Sequence, residues 1–264
     1  MPSGHAHTLL CERCGYTLDG LPAENECPEC GKPIAESQPE RRVGTPWQRN
    51  PGWPSFLRTR AAVLYRPWRT LGVMSFDNSN AHLLFDRIML TMLLSVLLIA
   101  AAVAILPSEV PATESLAIGA FIALVLAVAV TLMTHIEIVG LRFFGSRRGF
   151  RIDKTIASTI CYHGAHAWIV MAIGLSLWAH AFMTHRAYNS GANSLPPPPW
   201  PETIRTIASG ISWLGLAIAA VGFVYFEFFA WLGLRRCKFA NRPPAPDRSP
   251  EPAHESAPAS RSTR

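Results

Sequence analysis

Four of the six cysteines stand in two pairs, Cys11/Cys14 and Cys27/Cys30, spaced C-x2-C-x12-C-x2-C. Two thiolates on one tight turn can grip a metal ion from one side, and two such turns close a tetrahedron around it. Each pair is followed by a glycine, Gly15 or Gly31, which suits a turn that aims backbone N–H groups at sulfur. Four thiolates leave no open position for a catalytic water, so the ion expected here, Zn2+, is structural. Iron in a rubredoxin-like site takes the same ligands, and a reactive dithiol is the other alternative. In peptides of this kind the binding free energy, on the order of 10–16 kcal/mol, replaces a core that ~25 residues cannot build. Six cysteines are too few and too unevenly placed for a disulfide framework, and the CxxC pairs point to a reducing compartment. The expected unit is a zinc ribbon with short β-hairpin knuckles over residues 8–34.

A second set of reactive groups lies in strongly apolar sequence, where an ionisable side chain is costly and raises a functional question. His163 and His166 are about one helical turn apart. Glu227 sits within FVYFEFFAW, and His135 and Glu137 close another apolar run. Depths counted at about 1.5 Å per residue put His163 about 10 Å and His166 about 15 Å from one membrane face. By the same count Glu227 is about 10 Å and His135 about 6 Å from that face. At similar levels they could converge on a metal, a proton relay or a headgroup. The blander reading is that each bonds a backbone carbonyl or a neighbouring Ser/Thr, or sits among headgroups. His180 and His185 read as interfacial, Cys161 as a small buried hydrophobe and Cys237 as a juxtamembrane thiol.

The elements that must position these groups are four long apolar runs, Ile88–Leu106, Leu116–Val139, Ile156–Met183 and Ile207–Leu234. Each is long enough to cross a hydrocarbon layer roughly 30 Å thick. Lipid offers backbone amides no partners, so runs of this kind span as helices. The fold class expected is therefore mostly α: a four-helix polytopic membrane bundle over 86–236, preceded by the ribbon. Residues 35–54, rich in Pro, Gly and charge, read as a linker. In 55–85, Phe56, Leu57, Ala61, Leu64 and Trp68 recur at helical spacing among Arg58, Arg60, Arg66 and Arg69. This is the pattern of a short amphipathic, juxtamembrane helix lying on an anionic surface, with Trp53 and Trp68 at headgroup level and a stop or bend at Pro67. The Pro196–Pro199 run reads as extended and residues 243–264 as a disordered tail. Gly164, Ala165, Gly210, Gly215 and Gly222 suit close helix packing, which favours a compact bundle or a homo-oligomer over a wide pore.

Basic residues flank the runs in an alternating pattern. Arg58, Arg60, Arg66, Arg69 and Arg87 precede the first, and the joint PSEVPATES has none. Arg142, Arg147, Arg148, Arg151 and Lys154 follow the second. The third joint holds only Arg186 and Arg205, and Arg235, Arg236, Lys238 and Arg242 follow the fourth. By the positive-inside rule both termini and the ribbon face the cytoplasm, as in a bacterial inner-membrane protein. The start of the chain lacks an apolar core of signal-peptide length, against cleavage and secretion.

A formal charge of +6 invites a nucleic-acid reading, but its distribution argues against one. Residues 1–40 carry Glu12, Asp19, Glu24, Glu26, Glu29, Glu36 and Glu40 against Arg13 and Lys32 alone, and a phosphate-binding module needs a basic face. HExxH, GxSxG and Walker motifs are all missing. The ribbon stretch CERCGYTLDGLP…CPECG resembles the small cytosolic zinc ribbons that precede membrane bundles in many bacterial proteins. From WPSFLRTRAAVLYRPWRTL onward, the chain loosely resembles Yip1-domain membrane proteins. That resemblance implies membrane organisation or recruitment rather than catalysis, and no catalytic residue carries over. The function expected is a non-enzymatic scaffold that sits in the lipid bilayer and engages a protein partner through its acidic ribbon. Its rivals are a small transporter or ion- and proton-handling protein using the His/Glu set, and a membrane enzyme acting on lipid headgroups.

Overall fold

Four helices carry the length and hydropathy that crossing a bilayer demands, over Ala81–Ile105, Thr113–Arg147, His166–Met183 and Ser209–Arg236. The chain is an integral membrane protein. Its computed structural model describes residues 8–77, 80–105, 112–191 and 202–243. The Pro196–Pro199 run and the tail from 244 onward lie outside the described residues.

In order, α1 is Pro46–Arg49, α2 Trp53–Tyr65, α3 Pro67–Val73 and α4 Ala81–Ile105. Then follow α5 (Ala112–Arg147), α6 (Lys154–Gly164), α7 (His166–Gly191) and α8 (Glu202–Arg236). With 36 residues, α5 is about 54 Å long at helical rise, so it overshoots the hydrocarbon layer and does not stop at Val139. Likewise α8 begins at Glu202 rather than Ile207. The C-terminal overhang of α5, together with α1–α3, the turn between α5 and α6 and the exit of α8, builds a base on one face of the bundle.

The third apolar run is not one helix. It is interrupted at Ala165, where the Trp168 N–H donates to the Ala165 carbonyl at 3.0 Å in a tighter, 3₁₀-type turn. The spanning piece therefore starts at His166, and α6 is a buried short helix of the base. Asp153 caps α6, its carboxylate accepting from the Ile156 N–H at 2.9 Å.

Helix pairing in the bundle follows small residues. The longest contact is α7 along α8. A Cβ on Gly222 would lie 2.5 Å from the Met171 nitrogen, and one on Gly174 would lie 2.5 Å from the Gly215 carbonyl oxygen. These backbones touch because no side chain stands between them, which is how helices gain dispersion energy where lipid removes the hydrophobic drive. Trp168, fully buried on α7, donates from Nε1 to Thr134 Oγ1 of α5 at 3.0 Å and stacks on Phe226 of α8.

The amphipathic segment has two working faces. Phe56, Thr59 and Val63 of α2 pack inward, while Trp53, Leu57, Tyr65 and Trp68 stay exposed and apolar. α2 stops at Tyr65 and α3 starts at Pro67. Tyr225 of α8 donates its hydroxyl to the Val63 carbonyl at 2.6 Å, satisfying the open end of α2.

Gly222→Val should force α7 and α8 apart and cost about 1–3 kcal/mol, seen as a lower thermal midpoint in detergent. Gly210→Val, with nothing within 4 Å of its Cβ position, should leave that midpoint nearly unchanged.

Candidate metal centre and the polar groups of the bundle

The two cysteine knuckles are built alike. In the first, the Cys11 N–H donates to Tyr16 O at 2.8 Å and the Gly15 N–H to Cys11 O at 2.8 Å. In the second, Cys27 N–H donates to Lys32 O at 2.8 Å and Gly31 N–H to Cys27 O at 2.9 Å. Both glycines take left-handed backbone, φ 85° at Gly15 and 67° at Gly31, where a Cβ is strained. Each knuckle is closed by a single antiparallel bridge, Leu10 with Thr17 and Glu26 with Pro33. The expected hairpin strands are therefore reduced to one pair each, because Pro33 and the thiol-bearing turns leave no room for a ladder.

The four cysteine ligand atoms all lie within 4.8 Å of one another. Cys11 and Cys30 sulfurs are 3.5 Å apart, and Cys14 and Cys27 sulfurs 3.6 Å. A tetrahedral ion with metal–sulfur bonds near 2.3 Å needs sulfurs about 3.8 Å apart. The donor set fits such an ion, and Leu18 and Ile34 with Cys11 and Cys27 form the small core behind it. Burial raises the Cys11 thiol pKa, but N–H groups of Cys14 and Arg13 and the thiols of Cys30 and Cys14 outweigh it and bring it to about 7. Cys14 is pushed up to about 12, first by burial. Thiolates are the metal ligands, so binding the ion releases thiol protons.

The ribbon is docked on the base. Asn241, just past α8, is buried; its side chain accepts from the Leu10 N–H at 3.0 Å and donates to Leu10 O at 2.7 Å and Ser37 O at 2.8 Å. One amide thereby pairs with Leu10 as a neighbouring strand would. Gly15 touches the Phe239 ring so closely that a Cβ would sit 2.8 Å from Cζ. Arg151 Nη1 donates to Thr8 O at 2.6 Å.

Residues 35–54, expected as a linker, are packed. Arg42 is buried, with Nε donating to Glu12 Oε1 at 2.8 Å and Nη2 to Glu12 Oε2 at 3.1 Å. Its Nη1 reaches the Leu71 and Met74 carbonyls at 3.0 and 3.2 Å. Thr45 caps α1 in a capping box with Gln48. Trp47 is buried, with Nε1 donating to Asn80 O at 3.0 Å. The signal for this was Thr45-x-x-Gln48 with Pro46 at the first helical position, masked by the Pro/Gly-rich composition around it.

The expected intramembrane set is divided among separate partners. His163 Nδ1 lies 2.8 Å from Thr159 O, so it must donate, and Nε2 then accepts from the Thr45 hydroxyl at 3.2 Å. His166 Nδ1 donates to His163 O at 2.8 Å, and its ring lies 5.4 Å from that of Phe56. His135 is exposed on α5 and donates to Thr131 O at 2.8 Å. His180, expected at the interface, is buried and donates to Ser176 O at 2.8 Å, because α7 stays packed against α8 past that level. Glu137 and Glu227 are half-buried and lie within electrostatic range of each other and of Cys161. Among the described residues the four cysteines are the one group of His, Cys, Asp or Glu arranged to hold a metal. Cys237 is buried against the Leu71 carbonyl, and burial pushes its thiol up to about 11.

The chain matches no protein-family model, no curated protein and no solved structure. Its function has to be argued from this geometry.

Arg42→Met leaves Glu12 and two carbonyls without their cation, at an expected cost of about 3–5 kcal/mol. Limited proteolysis should then cut between residues 35 and 45 while the spans stay intact; unchanged resistance would contradict the clamp.

Proposed function

We propose that this protein is a non-enzymatic membrane scaffold in which a structural zinc ion folds the ribbon into a rigid platform fixed to the base of the bundle. The observation that carries the reading is the docking itself. Ribbon, residues 35–54 and the segment after α8 meet through Glu12–Arg42 and Asn241. A ribbon on a flexible tether would present a mobile surface; a docked one presents a surface of fixed orientation, as recruitment requires at lower entropic cost.

Two further features support it over an ion- or proton-handling bundle. His135, His163, His166 and His180 each spend Nδ1 on a carbonyl of the preceding turn. Back-bonding occupies one nitrogen of each ring, Thr45 meets His163 Nε2 and His166 Nε2 is buried without a hydrogen-bond partner. Among the described residues none of these rings joins a group arranged to hold a metal. The four-thiolate set also leaves no open coordination position for chemistry. The loose Yip1-domain resemblance points the same way, towards recruitment at a membrane. In this reading the ribbon and both termini lie in the cytoplasm of a bacterial inner membrane, and the partner is a protein that meets the acidic surface.

The test is purification of the full chain in mild detergent, with and without Cys11→Ser and Cys14→Ser together. Elemental analysis should find about one zinc per wild-type chain and none in the variant. Proteins co-purifying with the wild type should be lost from the variant. Partners retained in full by a zinc-free variant would overturn the reading.

A further inference from the structure

Between the ribbon and the base of the bundle lies a cleft of about 570 Å³, within the range of small-molecule sites. Arg13, Lys32, Arg41, Arg235, Arg236 and Lys238 line it. Of the carboxylates there, Glu12 is already paired with buried Arg42, which leaves Glu36 alone against six cations. Among the described residues no carboxylate is in ion-pair contact with any of the six.

The cations at the end of α8 have an ordinary explanation, since basic residues suit a helix C-terminus and the flank of a membrane span. Those of the ribbon do not. Residues 1–40 hold seven acidic side chains and only two Lys or Arg, and both of these, Arg13 and Lys32, line the cleft. An otherwise acidic unit thus turns its whole complement of such cations towards the basic end of α8. Like charges gathered in a cleft with low-dielectric walls focus a positive potential. An anion entering such a cleft relieves the repulsion among its cations.

The side chains are also held in place for this. Arg236 lies over the Trp68 ring at 5.0 Å, Arg235 over Trp231 at 4.4 Å, and Lys238 near Phe239 at 5.2 Å. Stacking fixes a guanidinium by its face and leaves its N–H edge free for a planar or tetrahedral oxyanion.

We propose that this cleft binds a phosphate-bearing anion, gripped by the ribbon from one side and by the end of α8 from the other. The cleft stands where α8 leaves its span, Ser209–Arg236, so the phosphate can come from a phospholipid headgroup or from a soluble phosphate compound. The inference is independent of the scaffold reading.

The test uses the full, metal-loaded chain in neutral detergent, titrated calorimetrically with inorganic pyrophosphate, short-chain phosphatidylglycerol and short-chain phosphatidylcholine. At least one of the two anions should bind and phosphatidylcholine should not. Binding of the lipid alone identifies a headgroup, binding of pyrophosphate alone a soluble phosphate, and binding of both a site that reads the phosphate itself. Arg13→Gln with Lys32→Gln, and separately Arg236→Gln, should each weaken binding about tenfold or more, while Arg148→Gln outside the cleft stays within about twofold. Metal content of one ion per chain reports that the ribbon variant is folded; if it is not, Arg236→Gln carries the test. No preference for either anion over phosphatidylcholine, or binding unchanged in Arg236→Gln, overturns the proposal.

Discussion

A buried guanidinium organises the water-facing half of this molecule. Arg42 meets both oxygens of Glu12 from the ribbon and the carbonyls of Leu71 and Met74 at the end of α3, and it stacks on Phe76 at 4.9 Å. An arginine out of water is tolerable only when its N–H groups are matched. The match here needs three separate stretches of chain to be in register. The metal knuckle that carries Glu12 must be closed, α3 must end at Val73, and residues 37–45 must run between them.

From that constraint the rest of the base follows. Thr45, three residues on, starts α1 and hands its hydroxyl to His163, so the segment that holds the ribbon also holds the short helix α6. Asn241 closes the circuit from the other end, joining Leu10 and Ser37 to the exit of α8. Inside the bilayer the logic changes to small residues and back-bonded polar groups, because there neither water nor a hydrophobic drive is available. His135, His166 and His180, on the spanning helices, belong to this second regime. Each ring gives Nδ1 to a carbonyl of the preceding turn. His163, on the base helix α6, also takes the Thr45 hydroxyl on Nε2, whereas His166 Nε2 is buried without a hydrogen-bond partner.

Much of this was legible in the sequence, and the boundary between what was and was not is physical. The cysteine ligands and their glycines are local patterns of chemistry, and four spanning helices follow from length and hydropathy alone. Interruption at Ala165 was not visible, since the same apolar run serves a buried base helix and a membrane span. Residues 35–54 looked like a linker because Pro and Gly are punctuation in loops and also in tightly packed non-repetitive chain. Their order is set by Arg42, Thr45 and Trp47, whose partners lie far away in sequence. Asn241 bonds residues more than two hundred positions away, and no local pattern announces such a contact. Among the polar groups of the bundle, depth along a helix does not fix the direction in which a side chain turns. His163 and His180 bond carbonyls of their own helices, His166 bonds the His163 carbonyl across the break at Ala165, and His135 is exposed.

Hydrogen–deuterium exchange on the intact protein, with the metal bound and after chelation, measures the coupling between ribbon and bundle most directly. If the ribbon is clamped through Arg42 and Asn241, stripping the metal raises exchange in residues 8–34 and also in 37–45 and 240–243, which carry no ligand. Faster exchange confined to 8–34, with the base unchanged, would contradict it.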